Sequence, residues 1–111
     1  MTLLNTSTPR VLSIAGTDPT GGAGIQADLK SIAASGGYGM CATTVLVAQN
    51  TQGVRSIFAP PTEFLQEQLA VVFDDVTVDA VKIGMLGDVE TITTVKTWLA
   101  EHPVPVVVLD P

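Results

Sequence analysis

The chain has 111 residues, of which 46% are hydrophobic and 14% are charged, a composition that predicts one globular domain with a buried core. Eleven acidic residues against five basic residues give a formal net charge of −6, which argues against a nucleic acid or an anionic membrane surface as a partner. Cys41 is the single cysteine, so no disulfide forms within the chain. Residues 1–10 form a polar tail without a leader pattern, and no apolar run approaches the ~20 residues that span a bilayer. We therefore expect a protein of the reducing cytoplasm.

The first half of the chain contains predicted strands and one predicted helix. The run 11–16 is short, apolar and closed by glycine, which predicts a strand buried in a parallel sheet. Apolar residues at helical intervals then predict a helix over 24–35, which ends at a glycine pair. A second strand is predicted over 40–48, ending at Gln49. The partly alternating run 54–58 predicts a short edge strand or a flap.

The second half continues the alternation. Apolar residues at four-residue intervals predict a helix from Pro61 to about Phe73. A third sheet strand is predicted over 80–84 and a fourth, buried one over 104–109, with a helix that Asp88 can cap between them. Strands that alternate with helices in this way predict an α/β fold, a three-layer αβα arrangement around a parallel sheet.

Polar or glycine-rich segments follow each predicted sheet strand. They are 16–24, 49–53, 84–87 and the final two residues. Since ligands of open parallel sheets bind beyond the carboxyl ends of the strands, these segments predict a small-molecule cleft. The chain stops directly after its fourth predicted strand, so we expect a fragment of a larger domain.

The glycine-rich segment 15–24 fits neither of the two common phosphate-binding motifs. It has the glycine spacing of a P-loop, but glycine and alanine stand where lysine and a hydroxyl residue should bind phosphate and magnesium. The stretch 22–27 matches the dinucleotide fingerprint, yet no acidic residue lies between Asp28 and Glu63 to bind a ribose. Two interpretations remain: glycines before a helix N-terminus that hold a polar ligand, or a tight turn without a ligand.

Individual side chains near the predicted cleft each allow two interpretations. Asp28 either accepts hydrogen bonds from a ligand or lies on a solvated helix face. Gln49 has the donors and the acceptor that pair with an aminopyrimidine edge, or it caps a turn. Met85 lies against a flat ring or fills a core gap. Lys82 reaches across the sheet edge or toward a subunit contact, or simply extends to solvent, and with His102 it receives no function.

Three stretches of the chain are similar to one known family. Ala15–Lys30 (AGTDPTGGAGIQADLK), Val47–Thr51 (VAQNT) and Lys82–Leu86 (KIGML) resemble hydroxymethylpyrimidine/phosphomethylpyrimidine kinase of thiamin biosynthesis, and the likeness extends from Val11 onward. The resemblance implies a ribokinase-like fold and two successive ATP-dependent, magnesium-assisted phosphorylations. The substrates would be 4-amino-5-hydroxymethyl-2-methylpyrimidine and then its monophosphate.

The resemblance also implies roles for five residues. Gly16, Asp28, Gln49 and Met85 would line the pyrimidine pocket, with Gln49 reading the ring edge, and Asp110 would lie near magnesium and the phosphates. The anion hole, the catalytic residue and most of the ATP pocket of the family have no counterpart in the chain. We therefore expect these 111 residues to bind the pyrimidine weakly at best and to transfer no phosphate.

Several alternatives stay open at this point. One alternative is a pyridoxal or pyridoxine kinase of the same superfamily. Another is a non-catalytic domain that kept the pyrimidine pocket. Residues 11–111 are interpreted as the N-terminal half of a kinase domain, and fusion of this domain to another thiamin enzyme stays open. The sequence leaves a homo-oligomer open and does not indicate one.

Overall fold

The protein was analysed as a computed structural model that describes residues 8–110. Most of the predicted tail, residues 1–7, and the final proline lie outside the described residues. In chain order the elements are β1 (Arg10–Ala15), α1 (Gly24–Ala34), β2 (Tyr38–Thr43), β3 (Leu46–Asn50), β4 (Gly53–Phe58), α2 (Thr62–Asp75), β5 (Ala80–Ile83), α3 (Val89–Glu101) and β6 (Val106–Leu109).

Four of the strands form one parallel sheet, which confirms the predicted α/β fold. The strand order is β2-β1-β5-β6, so the first strand of the chain lies in the interior of the sheet, between β2 and β5. The remaining strands, β3 and β4, pair with each other in an antiparallel hairpin. Because all four sheet strands run in the same direction, the segments after them meet at one edge.

The two faces of the sheet differ in chemistry because side chains alternate along each strand. One face carries the apolar core, in which strand residues pack against α2 and α3; its buried members are Leu12, Ile14, Ala42, Leu65, Leu69, Val78, Val81, Ile83 and Val95. The other face carries Ser13 of β1 and Lys82 of β5, which are direct neighbours in the strand register. Helix α1 packs on this second face against β1 and β2.

The second strand differs from the sequence-based prediction. One continuous strand over 40–48 is wrong, because the chain divides into β2 and β3 at Thr44 and Val45. The Thr44 hydroxyl donates to the Met85 carbonyl at 2.7 Å, and the Val45 carbonyl accepts from the Thr17 amide at 3.1 Å. These contacts with neighbouring loops turn the chain out of the parallel sheet, so β3 is free to pair with β4.

The other predicted elements are present, with small shifts at their ends. The strand or flap predicted over 54–58 is confirmed as β4, and Pro61 precedes α2 rather than beginning it. Asp88 caps α3 as predicted, since its carboxylate accepts from the Thr91 amide at 2.8 Å. The last strand was expected to be buried, and this is wrong: β6 is an edge strand whose four residues are 48–70% exposed. Within residues 8–110, no helix has the length and apolar character needed to cross a membrane.

Candidate functional site

A cleft of about 530 Å³ lies at the carboxyl edge of the sheet. It is lined by Ala15, Gly16, Thr17, Asp18, Ala23, Gly24, Gln49, Lys82, Gly84, Met85, Leu109 and Asp110. Four residues singled out from the sequence, Gly16, Gln49, Met85 and Asp110, therefore line one cavity. The fifth, Asp28, lies behind this lining and touches it through Lys82.

The glycine-rich turn between β1 and α1 is organised by one buried carboxylate. Asp18 is 3% exposed, and its Oδ1 accepts from the amide and the hydroxyl of Thr20. Its Oδ2 accepts from the amides of Gly22 and Ala23, each at 2.9 Å. The hydrogen bond from the Thr20 hydroxyl, with help from the backbone donors, holds the pKa of Asp18 below its ordinary value. Asp18 thus fixes the loop in front of α1 through four hydrogen bonds to one carboxylate.

The glycines of this turn do not by themselves predict the role of Asp18. A usable signal was present, because an aspartate followed by Pro19, Thr20 and two glycines is typical of a side chain that caps its own downstream amides. With several of its amides already bound to Asp18, the turn offers fewer free donors to a ligand than a bare glycine run suggests.

Gly24 and Gly16 allow the main chain to close the base of the cleft. Gly24 has φ of +61°, and a Cβ at that position would overlap the Gly16 carbonyl oxygen. That carbonyl accepts from the Ile25 amide at 2.9 Å, which ties the end of β1 to the start of α1. A Cβ on Gly16 would lie 2.8 Å from the Val45 side chain and 3.3 Å from Met85 Cε. Only glycine fits at these two places without displacing its neighbours.

Met85 and Gln49 present flexible and polar groups to the same space. Met85 is 51% exposed, so its thioether lies at the cleft and does not fill a gap in the core. Gln49 follows an irregularity in the β3–β4 register, and its side-chain amide has no hydrogen-bond partner among residues 8–110. The hairpin turn is capped instead by Asn50, whose Oδ1 accepts from the Gln52 amide at 2.8 Å. Both donor and acceptor of Gln49 therefore remain available to a ligand.

A small charged cluster lies between the sheet and α1. Asp28 Oδ2 accepts from Ser13 Oγ at 2.7 Å and from Lys82 Nζ at 2.9 Å. Lys82 Nζ also lies 3.5 Å from Asp110 Oδ2. Asp28 is therefore not on a solvated helix face, and Lys82 does not extend into solvent. The sequence alone assigns Lys82 no function, although a cation inside an apolar strand is a signal for a buried partner.

The described residues provide limited means to hold a metal ion. Between residues 8 and 110, no group of three or more His, Cys, Asp or Glu side chains is arranged to bind one. Asp110 offers one carboxylate that is 64% exposed at the cleft. This fits magnesium, which proteins often bind through one or two carboxylates while water and substrate phosphates complete the octahedron.

Two other candidate groups lie outside the cleft lining. Burial raises the pKa of the half-buried Cys41 thiol in β2, so it is a weak nucleophile. His102 stacks on Trp98 with ring centroids 3.8 Å apart, and its Nδ1 lies 3.0 Å from the Trp98 carbonyl. The contacts of Cys41 and His102 are therefore packing contacts, and neither side chain lines the cleft.

Comparison with known proteins gives one consistent family. A family described as phosphomethylpyrimidine kinase matches residues 18–111. The thiamine biosynthesis multifunctional protein ThiED of Corynebacterium glutamicum is 70% identical over 105 residues, which are 95% of this chain and 14% of that protein. The hydroxymethylpyrimidine/phosphomethylpyrimidine kinase of Salmonella typhimurium is 52% identical over 99 residues, which are 89% of this chain and 37% of that protein. The chain thus spans well under half the length of these relatives.

Solved structures agree on the fold. A phosphomethylpyrimidine kinase from Clostridium difficile superposes with a TM-score of 0.90 at 41% identity, covering 94% of this chain and 45% of that one. A pyridoxal kinase from Bacillus subtilis, solved as an ADP complex, gives 0.86 at 41% identity, covering 95% of this chain and 40% of that one. The parallel sheet with flanking helices is therefore that of ribokinase-like kinases.

Proposed function

The chain belongs to the phosphomethylpyrimidine kinase family, and we propose that the whole protein phosphorylates 4-amino-5-hydroxymethyl-2-methylpyrimidine and then its monophosphate, with ATP as donor, in thiamin biosynthesis. The observation that carries this proposal is the convergence of Gly16, Gln49 and Met85 on one cleft at the carboxyl edge of the sheet. These residues come from three separate segments, so a shared turn does not explain their proximity.

The cleft offers suitable chemistry for an aminopyrimidine ring. The Gln49 amide has a donor and an acceptor in one plane, which matches an amino group beside a ring nitrogen. The half-exposed Met85 thioether can lie against the flat ring, because sulfur makes favourable contacts with aromatic systems. Gly16 keeps the base of the cleft low, since any side chain there would meet Val45 and Met85. Asp28 supports the site from behind through Lys82.

In the proposed reaction the nucleophile belongs to the substrate. A primary alcohol, and in the second step a phosphate oxygen, attacks the γ-phosphorus of ATP, and positioning with charge neutralisation supplies most of the catalysis. Asp110 would hold magnesium, which neutralises charge on the phosphates when bound. The residues described in this chain bind and orient the pyrimidine, and we place the main ATP-binding and charge-stabilising groups in the remaining length that the relatives have.

A direct test compares two substrates on the full-length protein that carries this sequence. We expect ATP-dependent turnover of the hydroxymethylpyrimidine, followed by conversion of the monophosphate to the diphosphate, and a lower kcat/KM for pyridoxal. Efficient turnover of pyridoxal without turnover of the pyrimidine would overturn the proposal in favour of a pyridoxal kinase. Tight pyrimidine binding without turnover of either substrate would identify a non-catalytic binding domain.

The assembly around this domain is a further part of the proposal. The Corynebacterium glutamicum relative is a multifunctional protein, which supports a fused arrangement in which residues 11–111 are the N-terminal half of the kinase domain. A homo-oligomer and a cytoplasmic location belong to the same proposal. Mass measurement of the full-length protein in solution checks the first of these.

A further inference from the structure

Lys82 lies between the carboxylates of Asp28 and Asp110. Its Nζ lies 2.9 Å from Asp28 Oδ2 and 3.5 Å from Asp110 Oδ2. Lys82 and Asp28 side chains are only 23% and 18% exposed, so water screens their interaction less than it would on an open surface. Asp110 is 64% exposed and projects to the cleft. One ammonium therefore joins a carboxylate behind the cleft to one at its edge.

Several features of the fold determine the position of the Lys82 ammonium. Ser13 and Lys82 are register partners on β1 and β5, so both side chains lie on the face that α1 covers. Ser13 is fully buried and donates to the same Asp28 oxygen that Lys82 binds. A Cβ on Gly84 would lie 3.1 Å from Lys82 Nζ, so the absence of a side chain there leaves room for the ammonium. The strand register, the Asp28 carboxylate that Ser13 holds, and the space at Gly84 thus fix where the ammonium lies.

We propose that Lys82 is a positioning residue whose ammonium bridges Asp28 and Asp110 and so couples the pyrimidine side of the cleft to the phosphate side. This inference rests on the proposed kinase function. Both contacts of Asp28 use Oδ2, and its Oδ1 has no hydrogen-bond partner among the described residues. Without the lysine, the Asp28 and Asp110 carboxylates would lose the cation that both contact.

The first test measures the bridge itself and does not depend on kinase activity. In the 15N-labelled chain, the Lys82 ammonium protons should exchange slowly with water because they are hydrogen-bonded, whereas those of the exposed Lys30 and Lys96 should exchange fast. Asp28→Asn should speed the Lys82 exchange at least about tenfold. Fast exchange of Lys82 in the wild type, or no response to Asp28→Asn, would overturn the proposal even if the protein is an active kinase.

The second test uses the kinetics of the full-length protein. Lys82→Met should lower kcat/KM for the pyrimidine at least about tenfold by raising KM and lowering kcat together, because both carboxylates lose their position. Lys82→Arg should recover part of this loss, and Lys96→Met, on the exposed face of α3, should behave as the wild type. An unchanged Lys82→Met, or a Lys82→Arg no better than it, would overturn the proposal.

A double variant separates positioning from a general loss of structure. If Asp28 acts through Lys82, adding Lys82→Met to Asp28→Asn should leave KM close to that of Asp28→Asn alone, since the two effects share one interaction. This double variant also removes one charge of each sign, so it replaces Lys82→Met if that variant does not fold. Losses that simply add would overturn the coupling. A wild type without turnover would refute the proposed function, and the exchange experiment would still decide whether the bridge exists.

Discussion

Replacing Gly24 by alanine tests whether the base of the cleft depends on close contact between main-chain segments. Two costs are expected at this position. The φ of +61° is strained for alanine by roughly 1–2 kcal/mol, and a Cβ would overlap the Gly16 carbonyl oxygen, which forces the β1–α1 connection to move. Displacing a well-packed neighbour costs typically about 1–3 kcal/mol more, so we expect a total loss of about 3–4 kcal/mol in the free energy of unfolding, beyond what most single substitutions cost.

Two other glycines in the chain are matched controls. Gly36 has φ of +89° with no atom within 4 Å of an added Cβ, so Gly36→Ala isolates the backbone strain of about 1–2 kcal/mol. At Gly22 φ is not positive and an added Cβ would lie 3.5 Å from Asp18 Oδ2, so Gly22→Ala should stay within about 0.5 kcal/mol of the wild type. Urea unfolding followed by far-UV circular dichroism gives all three values. A Gly24→Ala loss equal to that of Gly36→Ala would refute the close-contact reasoning.

Three further predictions concern single side chains. The pKa of Asp18 is held below its ordinary value, so its charge stabilises the fold at any pH above that ordinary value. This contribution disappears as pH falls through the folded-state pKa. The urea midpoint of Asp18→Asn should therefore fall less between about pH 6 and about pH 3 than the urea midpoint of the wild type. Because burial raises the pKa of the Cys41 thiol, native chain should react with iodoacetamide at neutral pH several-fold more slowly than urea-unfolded chain, and equal rates would contradict this. Gln49→Leu should weaken pyrimidine binding about tenfold or more, whereas the neighbouring Asn50→Ala should change it little, and calorimetry with the full-length protein compares the two.

The fold was predictable where local pattern and global architecture agree. The alternation of strands and helices, the Asp88 cap and the parallel sheet all follow from short-range signals that the tertiary structure does not override. The break at Thr44 was not predictable, because the run on both sides is mostly apolar and the contacts at the break are long-range: Thr44 bonds to Met85, 41 positions away, and Val45 bonds to Thr17. The exposure of β6 has a similar origin, since burial of a strand depends on what packs on it.

Some residues of the candidate site were also predictable from the sequence, and others were not. Gly16, Gln49 and Met85 were found because their residue types and positions after strands carry information that one sequence reveals. Asp18 and Lys82 were missed for different reasons. The role of Asp18 is written in its local sequence and could have been seen, whereas the bridge from Lys82 to Asp28 joins residues 54 positions apart and depends on which strands are neighbours.

The most direct test of the central claim is a titration of hydroxymethylpyrimidine into the 15N-labelled chain, followed by NMR, which detects even weak binding. We predict that the amide signals of Gly16, Met85 and Gln49 and the side-chain amide of Gln49 shift together with one dissociation constant, while the indole signal of Trp98, between α2 and α3, stays in place. At millimolar ligand, binding of about 4 kcal/mol would be visible. A pyrimidine site at the carboxyl edge of this sheet would be contradicted if no signal at the cleft shifts at that concentration, or if the shifts are centred on Trp98.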